Sequence, residues 1–135
     1  MGVDWSNKDL AGVDLRYRNL TGSYFVGTIF TGADFRRASV GNCYFMSAQL
    51  GDTRFRRANM SNSYFNQADL RRARCRHADM SNAYFNGADL RNANLRDTDL
   101  SNSFFIEADL RGADMRGANT SGAVFARAKM KGVRT

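Results

Sequence analysis

One position in five is apolar along the whole chain. Residues numbered in multiples of five run from Trp5 through Leu50, Leu100 and Met130 to Thr135, and 25 of 27 are apolar, Thr120 and Thr135 being the exceptions. Two residues before each stands a small or short side chain, as at Ala33, Ala68, Ala88 and Ala118; only Lys8 and Arg18 are long there. A helix would repeat its apolar face every 3.6 residues and a flat strand every two. A strict period of five fits neither and predicts a solenoid wound from short repeats.

A second period gives the size of one coil. Phe25, Phe45, Phe65, Phe85, Phe105 and Phe125 recur every twenty residues, as do Arg16, Arg36, Arg56, Arg76, Arg96 and Arg116. Like residues at a fixed step are expected to stack. Four pentads then make one coil of square section, with the phenylalanine column as a core stack. At about 4.8 Å per coil, nearly seven coils give an all-β rod of about 30 Å.

ADLRN at Ala88, ADLRR at Ala68, ADLRG at Ala108 and ADMRG at Ala113 are close to the unit A-[D/N]-L-x-x. On these units the chain resembles the pentapeptide-repeat proteins over essentially all 135 residues. The resemblance implies a right-handed quadrilateral parallel β-helix, here a single domain over 1–135. Members with a C-terminal dimerisation helix differ from this chain, whose tail ARAKMKGVRT stays in register.

Composition agrees with a laddered coil. There is no proline, which would remove a ladder donor. Glycine and asparagine cluster just after the central residue, as at Gly22, Gly32, Asn62, Asn82 and Asn102; these types tolerate the positive φ of tight turns. Trp5 is expected to plug the open end below the phenylalanine column. Lys8 and Arg18 predict a splayed first coil. Open β edges invite association, so end-to-end stacking into a homodimer is expected. Cys43 and Cys75 fall on inward positions of different sides and read as core thiols, which favours a reducing, cytoplasmic setting. No membrane-spanning run is present, and the MGVDWS opening is read as repeat rather than lipidation signal because Trp5 has a core role.

The four sides carry different chemistry. Side one, around Phe25, displays Tyr24, Tyr44, Tyr64, Tyr84 and Phe104, flanked by Val26, Met46 and Ile106. It is a candidate aromatic interaction face, or a ladder that only supports stacking. Side two alternates Asp69, Asp89 and Asp109 with Arg71, Arg91 and Arg111, a self-neutralising surface. Side four carries serines and asparagines as turn chemistry. Side three, around Phe35, holds eleven arginines against four aspartates, a surplus equal to the formal net charge of +7. Its candidate basic face is Arg36, Arg37, Arg54, Arg56, Arg57, Arg74 and Arg76, with His77 alongside and Arg71 and Arg72 at the adjoining corner. Like charges at one-coil spacing repel by roughly 1 kcal/mol in water before salt screening.

An enzyme is not expected. One histidine offers neither a metal cluster nor a proton relay, and no serine or cysteine has a recognisable base partner. No cofactor or metal is expected. The leading expectation is a non-enzymatic scaffold that binds a protein partner through its flat faces. A DNA mimic directed at a type II topoisomerase (DNA gyrase), as in the fluoroquinolone-resistance branch of the family, agrees with the rod but not with the basic charge. Binding of nucleic acid or another polyanion suits the arginine face. The aromatic groups are placed on side one, apart from the arginines, so base stacking is not expected.

Overall fold

The computed structural model describes residues 2–135. Parallel bridges join each residue that precedes a central position to the residue twenty places on, from Asp4 with Tyr24 to Asp114 with Arg134, without a break. Each side of the coil contributes one bridging residue and then a two-residue turn.

The pentad Ala33–Arg37 accounts for all five of its N–H groups, and so explains the repeat. The Ala33 N–H closes the preceding turn on the Phe30 carbonyl at 2.8 Å. Asp34 N–H donates to Val13 O in the coil before at 2.9 Å, while Phe35 and Arg37 N–H donate to Arg54 O and Arg56 O in the coil after, at 2.7 and 3.1 Å. The fifth, of Arg36, is taken by the Asp34 side-chain Oδ1 at 3.1 Å. Aspartate or asparagine before the central residue therefore supplies the one acceptor that the ladder lacks.

Every second residue after a central position, from Asn7 to Gly132, has positive φ. This is the third residue of a turn of the type II kind, where glycine and asparagine are at ease. The expected clustering of those types thus has a conformational cause.

The interior is filled from two positions per pentad. Between the end coils, central residues and their small partners are buried together, Phe25, Phe35, Phe55, Phe65 and Phe85 completely. Rings from Phe45 to Phe125 stack at 4.8–5.1 Å between centroids, within 7° of parallel. Trp5 packs on Phe25 at 5.8 Å, where the plug was expected. The first coil is not splayed. Lys8 and Arg18 are exposed, and their carbonyls accept from Ile29 and Ser39 N–H at 2.9 and 2.8 Å. Their long side chains leave the interior while the backbone stays paired. Among the described residues no helix is long and apolar enough to cross a membrane.

Candidate functional site

Side three is organised by the column that precedes its central residues: Asp14, Asp34, Arg54, Arg74, Asn94, Asp114 and Arg134. Where aspartate stands, it does two jobs. Asp34 caps the Arg36 N–H and forks with the Arg36 guanidinium, Nε at 2.9 Å and Nη2 at 2.6 Å. Asp14 with Arg16 and Asp114 with Arg116 repeat the arrangement. The Arg16 hydrogen bonds pull the Asp14 carboxyl down to about 2. Asp34 and Asp114 are lowered too, chiefly by their bonds to Arg36 and Arg116.

At Arg54 and Arg74 the column reverses sign, and both services are lost. Among the described residues, the backbone N–H groups of Arg56 and Arg76 have no side-chain acceptor from their own pentads. Arg76 recovers Asp97 at 3.1 Å. Arg54 reaches Asp34 only at 4.0 Å, and that carboxylate already holds Arg36. Among the described residues, Arg37, Arg56, Arg57, Arg74 and Arg96 on side three have no carboxylate within salt-bridge distance. The Arg96 Nε is buried and has no hydrogen-bond partner.

A second column carries a different cost. Tyr17, Arg37, Arg57 and His77 stand one above another at φ 63, 61, 61 and 64°. Each costs of order 1 kcal/mol relative to a glycine or asparagine there. Tyr17 is 71% exposed. Its ring lines a cleft of about 210 Å³ together with Arg16, Arg36, Arg37, Arg56 and Arg57. A neighbouring cleft of about 390 Å³ is lined by Arg36, Arg54, Arg56, Arg74, Arg76 and Asn94. Arg36 and Arg56 belong to both, so the two form one track. The expected separation of aromatic groups from arginines is corrected by Tyr17. Its position two residues after Leu15 puts it in the side-three column, and that register was the signal available in the sequence.

The remaining candidates lie elsewhere. Arg71 forks with Asp69 through Nε at 2.9 Å and Nη2 at 2.7 Å, and Arg72 with Asp52 at 3.0 and 2.9 Å. They line neither cleft. On side one, Tyr24, Tyr44, Tyr64, Tyr84 and Phe104 form a parallel stack at 4.7–5.1 Å. Tyr24 is 48% exposed and the other four are half-buried. The cysteines are free and buried; burial pushes Cys43 up to about 11 and Cys75 up to about 12.

A family model described as pentapeptide repeats matches the chain in eight copies, over residues 9–45, 48–87, 68–105 and 105–134. Among solved structures, the chain is similar to a pentapeptide repeat protein from the Arabidopsis thaliana thylakoid lumen. The two share 27% identity at a TM-score of 0.72, over 75% of this chain and 70% of that one. It is also similar in fold to trypsin-treated QnrB1, a plasmid-mediated fluoroquinolone resistance protein, with 23% identity, a TM-score of 0.53 and coverage of 98% and 79%. No curated protein sequence is significantly similar. The solved neighbours form right-handed quadrilateral β-helices, and the winding here has that hand.

Proposed function

The chain belongs to the pentapeptide-repeat family, and from that premise we propose that it is a non-enzymatic scaffold whose side three binds an anionic partner. One observation carries this reading: the acidic column reverses at Arg54 and Arg74, where aspartate would have capped the turn and neutralised the next arginine. A solubility surface needs no such reversal, since the paired arginines of side two are equally solvated. A track in which Arg37, Arg56, Arg57 and Arg74 have no carboxylate partner among the described residues attracts carboxylate or phosphate groups. The deep, weakly acidic thiols supply no ready nucleophile. The test is retention on immobilised heparin. Wild-type protein should be held at low salt, and the Arg54→Glu, Arg56→Glu, Arg57→Glu triple variant should pass through. Equal retention of the two would defeat the proposal.

A second reading, contact with a protein through side one, is favoured by the uncharged stack of Tyr44, Tyr64, Tyr84 and Phe104. Capture of a protein from the host that is lost in Tyr64→Ala with Tyr84→Ala, yet kept in Arg56→Glu, would support it. A DNA-mimic action on a type II topoisomerase is the weaker reading, because a mimic needs rows of negative charge and the middle of side three is positive. Inhibition of gyrase supercoiling would reverse that ranking. Self-association through the end coils belongs to the same proposal, and sedimentation showing only monomer at high concentration would count against it.

A further inference from the structure

We infer that the side-three track is a binding site for single-stranded nucleic acid, with Tyr17 as the platform on which a base stacks. The inference rests on the reading of side three as an anion-binding wall and goes beyond it by naming the ligand. Three features of the track meet one chemistry. Guanidiniums with no carboxylate partner among the described residues, Arg37 and Arg57 in successive coils with Arg56 and Arg74 nearby, stand among the paired Arg16, Arg36 and Arg76. They stand at the coil spacing of about 4.8 Å, and a flexible strand can adjust its phosphates to such a row. The two clefts join through Arg36 and Arg56, so the row is continuous. An exposed aromatic ring stands at its end, beside Arg16, Arg36 and Arg37. Carboxylates of an acidic protein would use the guanidiniums and leave the ring idle. Duplex DNA keeps its bases within the stack, out of reach of a ring on a flat wall. A single strand uses both the charge and the π-face.

The backbone supports a working role for the ring. Tyr17 has φ 63°, as the repeat requires at this place although a bulky side chain is ill suited to it, and it is largely in solvent. Among the described residues, its ring is paired with no other aromatic ring. Gly117 fills the corresponding position near the other end of the same column. Glycine at position 17 would suit the turn better, so the turn itself does not call for a tyrosine.

The experiment measures the affinity of the full chain for a labelled oligothymidylate of about ten nucleotides, a hairpin duplex, poly-glutamate and heparin. The oligonucleotide should bind more tightly than duplex or poly-glutamate. With about five phosphates engaged, its affinity should fall roughly 100-fold between about 50 and about 200 mM salt. Tyr17→Gly should weaken the oligonucleotide by about 5- to 150-fold, weaken heparin far less, and melt no lower than wild type. Tyr17→Phe should bind like wild type. Oligonucleotide affinity insensitive to Tyr17→Gly, or preference for duplex or poly-glutamate, would overturn the inference while arginine-dependent heparin binding left the anionic wall standing. Failure to bind any of the four would remove both.

Discussion

Left-handed backbone positions usually fall to glycine, asparagine or aspartate, yet Arg37 and Arg57 occupy two of them in succession. Neither side chain is held by a carboxylate, so nothing local offsets the conformational cost. Arg57→Gly is therefore expected to raise stability by roughly 0.5–1 kcal/mol, read from urea unfolding, and to lower heparin affinity. A loss of stability would show that the guanidinium has a structural partner. The cysteines show the opposite economy. Their burial and raised pKa values make them inert in the native state. A thiol reagent at neutral pH should modify both only as fast as the protein unfolds, and rapid labelling of native protein would contradict their inward placement.

A pentad with aspartate or asparagine before its central residue caps itself, and on side three the cap also sets the local charge. Arg54→Asp should restore the acceptor for the Arg56 N–H and pair the Arg56 guanidinium. Stability should rise by about 1 kcal/mol, with polyanion binding reduced, and thermal melting together with heparin elution checks both. The same geometry fixes a pH dependence. The carboxyls of Asp14, Asp34, Asp109 and Asp114 are lowered, first by side-chain hydrogen bonds from Arg16, Arg36, Arg111 and Arg116. A lowered folded pKa means stability that is complete above the unfolded value of about 3.9 and is lost as pH falls through the folded value. Melting temperature should be flat above about pH 5 and decline toward about pH 2, the Asp14 value. Asp109→Asn keeps an acceptor for the Arg111 N–H but removes the titrating group, so it should make that decline shallower. The period and the inward columns could be read from the chain because each pentad obeys the same steric demand. Charge was legible as a sum over side three, but its pairing was not. Whether Arg36 or Arg56 is neutralised depends on one residue two places earlier, and Arg76 on Asp97 twenty-one places later.

At the scale of the rod, each coil contacts only its neighbours, so stability is a sum of stacked interfaces. Phe65 lies mid-stack between Phe45 and Phe85 at 4.8 and 4.9 Å. Phe65→Asp would place an unpartnered charge there and should abolish cooperative melting; a near-normal transition would refute the core assignment. The stacking of like residues turned counting into geometry, and the four sides were legible for that reason. The same count placed Tyr17 in the side-three column, two residues after Leu15; what its own repeat unit does not advertise is the set of arginines from other coils that line the cleft with it. The reversal at Arg54 and Arg74 has one further consequence. Since that column lies outside the core, Asp34→Arg with Arg74→Asp would slide the electropositive segment by one rung, about 4.8 Å, and leave the interior untouched. The rod is in this sense a ruler on which a docking address is written in single letters and can be rewritten without rebuilding the molecule.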